Sequence, residues 1–335
     1  MKQPKSKYII ITSIAKPTQA VKKYAGLDDW QVIVVGDKKT PKNWQHKKII
    51  YLSPEKQTKL SYQIVKLLPW NHYCRKMVGY LFAIEKGAEV IYDTDDDNIP
   101  KKDWAIPQFW GKFLVTPPQI GFINVYRFFT QQKIWPRGYP LDLINEKWEE
   151  VKLTPRKIKI GIWQGLADND PDVDAIYRLV DNRPCNFNSN PPMVLNRGAI
   201  CPGNSQNTAF RKELFSLLYL PAFVNFRFTD ILRGLIAQPI MWSAGYRLGF
   251  SKPTVTQQRN IHDYFKDFES ELPMYVNSKK VADITTLSVK NNRSIVQNLT
   301  NTYKHLYNNR IVEKQELSLL TAWLKDLQSL TSDKL

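Results

Sequence analysis

At 335 residues, 43% hydrophobic and 12% aromatic, the chain carries enough apolar side chains to bury a sizeable core, which excludes an intrinsically disordered protein. Its 48 Lys and Arg against 31 Asp and Glu give a formal net charge of +17, which favours polyanionic partners without choosing among nucleic acid, anionic lipid and phosphorylated substrates. No run approaches the roughly 20 apolar residues of a membrane-spanning helix, and three cysteines (Cys74, Cys185, Cys201) without metal-ligand spacing exclude a disulfide framework.

The first half alternates strand and helix patterns. Residues 7–14 form a β-branched run suited to a strand covered on both faces, and too short for a secretory signal. Pro17 opens a short helix over 20–27. Residues 30–37 predict a second strand ending in a Gly-Asp turn, and 48–52 a third. Met77, Tyr80, Leu81 and Ile84 make a helical stripe closed by Gly87. The strand expected over 88–92 runs directly into Asp93-Thr-Asp-Asp-Asp-Asn98.

The second half is more mixed. Strands are expected over 120–129 and 157–163, a helix with an acidic first turn over 170–180, and a longer helix over 229–246, weakened near Pro239. From about 281 the pattern is helical and polar, with Leu306, Leu317, Leu320 and Trp323 among its apolar positions. The order implies an α/β fold, a mixed and mostly parallel sheet flanked by helices, in a domain of residues 1–270 with a helical extension over 271–335. With three cysteines and no signal, a cytoplasmic location is expected, with peripheral contact to an anionic membrane surface.

In such sheets ligands bind beyond the carboxyl ends of the strands. Thr12, Asp37 and the acidic run 93–97 all fall there. Alternate residues of an extended segment share a face, so Asp93, Asp95 and Asp97 are expected together. Carboxylates that close repel unless a cation neutralises them, and an all-oxygen set suits Mn²⁺ or Mg²⁺. Arg75 and Lys76 open the preceding helix, where a nucleotide's diphosphate is expected. His262 is a candidate third metal ligand. Asp230 and Arg233, one helical turn apart, are candidates for a general base and its holder, against the plainer reading of a salt-bridged helix start. Asp168, Asp170, Asp172 and Asp174 read mainly as capping, and residues 204–208 as a polar loop suited to sugar hydroxyls.

Several ordered motifs carry a resemblance: Gly79-Tyr-Leu-Phe-Ala-Ile84, Gly87-Ala88, Asp93-x-Asp-Asp96, and Asp170-Pro-Asp-Val-Asp-Ala-Ile176 with Arg178. Residues 204–208 continue it, then Asp230-Ile231, Arg233-Gly234, Ala237-Gln238, Trp242 and Pro253-Thr-Val255. Over roughly residues 7–265 the chain resembles the STELLO family of glycosyltransferases. The resemblance implies a GT-A-like fold, a nucleotide-sugar donor (a UDP-sugar first), metal at Asp95 and Asp97, and Asp230 as base. Thr12, Asp37, Arg75, Lys76, Asp93, Asp95 and Asp96 would line the donor pocket, and a glycan or lipid-linked glycan would accept the sugar. Plant members carry a membrane anchor and a further domain, so a stand-alone form fits a bacterial or viral polysaccharide pathway. Two other readings remain open. A nucleotide-sugar mutase uses the same acidic run, and a non-catalytic or nucleic-acid-binding protein uses only the charge; nucleic acid is not the expected partner.

Overall fold

The computed structural model describes residues 5–146, 151–259 and 263–332. The first half follows the expected alternation: β1 (Lys7–Ser13), α1 (Gln19–Tyr24), β2 (Trp30–Gly36), β3 (Ile49–Leu52), two short helices α2 (Pro54–Thr58) and α3 (Ile64–Leu67), then α4 (Lys76–Glu85) and β4 (Val90–Thr94). Gly87 closes α4 at φ +86°, a conformation open to glycine and costly for a β-carbon. The chain continues through β5 (Asn98–Pro100), β6 (Trp110–Val115), β7 (Gly121–Phe122), the long β8 (Thr154–Asp168) and α5 (Ala175–Val180). It ends with β9 (Met193–Val194), β10 (Ala199–Ile200), β11 (Asn207–Arg211), α6 (Thr229–Ser243), β12 (Arg247–Gln257) and three helices, α7 (Tyr264–Ser288), α8 (Ile295–Asn308) and α9 (Lys314–Ser332).

Among the described residues the main sheet runs β3-β2-β1-β4-β11-β8-β6-β9-β12-β5. The β3-β2-β1-β4 half is parallel, while β11 lies antiparallel between β4 and β8. The sheet is therefore mixed, with helices on its faces, and its β4 carboxyl end is central. Buried runs such as Ile9, Ile10 and Ile11 form β1 because both faces are covered. Helix α4 lies close on the sheet: a β-carbon on Gly79 would stand 2.7 Å from Ile10 Cγ2 and Val35 Cγ2.

Two expected elements change. Residues 120–129 hold only the two-residue β7 and a 3₁₀ turn over Val125–Phe128. The apolar run misleads because Val125, Tyr126 and Phe129 are buried at helical rather than alternating spacing, and the Asn124 side chain accepts from Tyr126 N at 3.2 Å. The helix expected over 170–180 begins only at Ala175, with Asp174 as N-cap accepting from Tyr177 N at 2.9 Å.

The C-terminal helices are pinned by buried acids. Glu316 accepts from Ala222 N and Phe223 N, the latter at 2.8 Å. Asp326 accepts from Gln63 N at 2.8 Å and Ile64 N at 3.0 Å, serving as a remote N-cap for α3. Helix α7 starts at Tyr264 and crosses position 271, where buried Glu271 accepts from Ala175 N at 2.8 Å and pairs with Arg227 at 2.6 Å.

Candidate active site

The carboxyl ends of β1, β2 and β4 open onto one cleft with two lobes that share Thr12 and Asp96. The first, about 220 Å³, is lined by the chain after β1, Asp37, residues 71–73, Arg75 and Phe226. The second, about 250 Å³, is lined by Asp95, Asp96, Asp97, Arg137, Asp172, Arg227, Asp230, Gln257 and Arg259.

The acidic run divides between core and cleft. Asp93 is buried, with Lys76 Nζ 2.8 Å from one oxygen and Arg233 Nη1 2.9 Å from the other. Burial opposes its charge, but the two cations outweigh that and hold the carboxyl below its usual range. The expected shared face fails for Asp93 because the strand ends at Thr94, with Asp93 still in the buried sheet, and the chain turns over residues 95–97, so the alternation of an extended segment does not continue. Asp95, Asp96 and Asp97 do line the cleft. Asp95 accepts from Lys76 Nζ at 2.9 Å, and its side chain stays 42% exposed. Asp96 accepts from Ser13 Oγ. Asp97 accepts from Gln257 Nε2 at 3.1 Å, while its other oxygen is buried without a hydrogen bond among the described residues. Burial, then the Asp95 carboxylate, push Asp97 up to about 7.

An oxygen-only pair with one orphaned buried oxygen fits a hard divalent cation. Among the described residues no three ligating side chains converge, so such an ion would complete its shell with water and substrate oxygens. His262 lies outside the described residues.

Around the first lobe, Asp37 accepts from Lys38 N at 2.6 Å and His72 N at 3.3 Å. His72 stacks on Tyr73 with centroids 5.3 Å apart, and meets Phe226 edge-on at 5.0 Å. Burial lowers the His72 imidazole to about 4. Arg75 is fully buried, its guanidinium 3.5 Å from the Trp70 ring centroid and its Nε donating to Gln57 Oε1 at 2.7 Å. Its Nη2 has no hydrogen bond among the described residues.

Around the second lobe, Arg137 is the residue that sequence reasoning missed. It forks onto Asp172 at 2.7 and 2.9 Å, and its Nη2 also reaches Asp230 at 3.0 Å. Its neighbour Gly138, at φ +85°, lies where a β-carbon would stand 2.4 Å from Ile231 Cγ2, so this turn is seated on α6 beside Asp230. Asp230 also accepts from Ser205 N at 3.1 Å, Ile231 N at 3.0 Å and Tyr73 Oη at 3.4 Å. Arg233 faces away from the cleft. Besides Asp93 it donates to Ser205 Oγ at 2.9 Å and Asn204 O at 3.1 Å.

The other two motifs are largely consumed internally. In residues 204–208, Asn204, Asn207 and Thr208 bond to Gln164, Leu166 and Thr254, and Gln206 is the member lining the cleft. Of the second acidic cluster, Asp174 caps a helix, Asp172 holds Arg137, and Asp168 and Asp170 pair with Lys101 and Arg178.

The mixed α/β sheet thus delivers carboxylates from the end of its strand β4 into a two-lobed cleft. The family model for STELLO glycosyltransferases matches residues 227–333. Two Arabidopsis thaliana proteins, "Probable glycosyltransferase STELLO1" and STELLO2, are each 29% identical over 96% of this chain and 44% of their own length. The chain is thus similar to these two proteins and spans less than half of their length. Two solved structures also align, each at 10% identity. One is described as a mycobacterial protein, covering 86% of this chain and 75% of its own at TM-score 0.34. The other is M. tuberculosis glucosyl-3-phosphoglycerate synthase, covering 84% and 79% at TM-score 0.32. Those scores are too low to carry weight beside the strand order.

Proposed function

We propose that this chain is a glycosyltransferase moving a sugar from a nucleotide-sugar donor, a UDP-sugar first, to a glycan or lipid-linked glycan acceptor. One observation supports this reading above the rest: Asp95, Asp96 and Asp97, just after β4, line an arginine-rich lobe, and Asp96 also lines the adjoining aromatic-walled one. The first lobe suits a nucleoside. The Asp37 carboxylate retains acceptor capacity for a base N–H, and His72 and Phe226 offer apolar ring surface. Mn²⁺ or Mg²⁺ held by Asp95 and Asp97 would neutralise charge developing on the leaving diphosphate. Lys76 is committed to Asp93 and Asp95, so it orients the carboxylates rather than meeting phosphate.

In this reading Asp230 serves the acceptor side as an anchor. Four donors already occupy its two oxygens, whereas a general base needs a lone pair aimed at the hydroxyl it deprotonates. It fixes Arg137, whose position beside Asp172 shapes the acceptor lobe. Cys74, Cys185 and Cys201 are buried free thiols, which supports a reducing compartment for the reaction.

Isothermal titration with UDP, GDP and CDP, with and without Mn²⁺, tests the reading. Binding of one nucleotide that needs metal and vanishes in Asp95→Ala is the expected result. Failure of all three to bind, beside salt-sensitive binding of RNA, would reject it.

A further inference from the structure

Strands β6 and β8 form an antiparallel ribbon whose two faces differ. In register, Trp110 stands opposite Lys159 and Lys112 opposite Lys157, which puts all four on one face. Phe113 and Ile158 belong to the other face and pack on the core, with Phe113 edge-on to Trp163 at 5.2 Å. The outer four are exposed, and Trp110 leaves 53% of its surface in solvent. Two facts about that face need a reason. Like charges directly opposite each other destabilise a sheet, yet Lys112 and Lys157 are so placed, and among the described residues neither they nor Lys159 make an ion pair. A half-exposed indole beside them leaves apolar surface uncovered by the described residues.

We infer that this ribbon is a docking surface for an anionic lipid bilayer. An indole settles at the headgroup level of a membrane, and lysines around it meet anionic headgroups. Each lysine near such a surface contributes on the order of fivefold in partitioning. A single-stranded nucleic acid is instead tracked by a groove with successive stacking rings, whereas here one ring stands on a flat two-stranded face. No described helix is long and apolar enough to cross a membrane, so contact of this chain through the described residues is peripheral. The ribbon also lies away from the cleft. Thr208 pairs with both Asp93 and Gln164, which levels Gln164 with the acidic run. Lys159 is five residues back along β8, about 17 Å toward the amino ends of the parallel strands. Docking by this face leaves the cleft open to the aqueous phase. The inference does not depend on which nucleotide the cleft takes.

The test is co-sedimentation of the full chain with vesicles of phosphatidylcholine alone, or mixed equally with phosphatidylglycerol, at about 0.1 M salt. Wild type is expected on the mixed vesicles only. Lys112→Glu with Lys157→Glu should lose tenfold or more of that binding, and Trp110→Ala severalfold. Lys22→Glu with Lys304→Glu, exposed positions on helices α1 and α8 with the same change of charge, should bind as wild type. The single Lys112→Glu should raise the melting temperature, because it turns a like-charge pair into an opposite one, which also shows that the variant folds. Absence of wild-type binding, equal loss in both double variants, or loss of poly(U) binding with vesicle binding intact would each overturn the inference. UDP titration of the same variants should be unchanged, which separates this result from the donor site.

Discussion

Arg233 and Asp93 close a buried ion pair of 2.9 Å across 140 positions of sequence, tying helix α6 to the central strand β4. Lys76 occupies the other Asp93 oxygen, so one buried carboxylate joins α4, β4 and α6 behind the cleft. The pair is a frame for the site and does not touch the cleft.

Arg233→Met should therefore act on stability first. It leaves one Asp93 oxygen and the loop oxygens of 204–205 without their donor while Lys76 still neutralises the carboxylate, and the expected loss is about 3 kcal/mol in urea denaturation. Arg233→Lys should recover part of it, since one ammonium cannot reproduce the guanidinium fork.

Asp230→Asn separates an anchor from a base. An anchoring role predicts a fall in kcat of roughly 10- to 100-fold with the pH dependence of the rate retained. A base role predicts a larger loss and disappearance of the acidic limb of the profile. Rate against pH, with the donor that titration identifies, decides.

Gly138→Ala should be damaging out of proportion to one methyl group. The new β-carbon meets Ile231 Cγ2 and sits at φ +85°, and together these should cost about 2–3 kcal/mol. Because the turn carries Arg137, sugar transfer is expected to fall even where the variant remains folded, as circular dichroism would establish.

His72 gives the site a pH signature. Its folded value of about 4 lies below the ordinary imidazole value of 6.5, chiefly through burial. Between those values the unfolded chain binds the proton and the folded one does not. The contribution of His72 is thus intact above pH 6.5 and is lost as pH falls toward 4. His72→Asn keeps an acceptor for Cys74 N, which His72 Nδ1 now receives at 3.0 Å. Thermal melts of this variant should depend less on pH across that window.

The parallel half of the sheet was legible because β1 and β2 are covered on both faces and read as unbroken apolar runs. Gly87 likewise announced the end of α4. The stretch 120–129 was not legible, since a buried 3₁₀ turn and a strand both appear as apolar runs when short. The same limit applies within the acidic run. Spacing located Asp95 and Asp97 at a strand end, but the turn that begins after Thr94, which leaves Asp93 in the buried sheet, has no mark in the spacing. Arg137 left almost no trace: its partners Asp172 and Asp230 are 35 and 93 positions away, and neither distance follows a helical or strand period.

The remote caps supplied by Glu316 and Asp326 have a consequence for the order of synthesis. The amides of Ala222 and Phe223, and of Gln63 and Ile64, find these acceptors only in the last helix. A nascent chain that has emerged as far as β12 holds every strand of the sheet and the whole acidic run. Its α3 start and the 219–223 turn must still stay hydrated until residue 326 leaves the ribosome. The final closing of the domain therefore waits for α9, long after the strands of the sheet have been made.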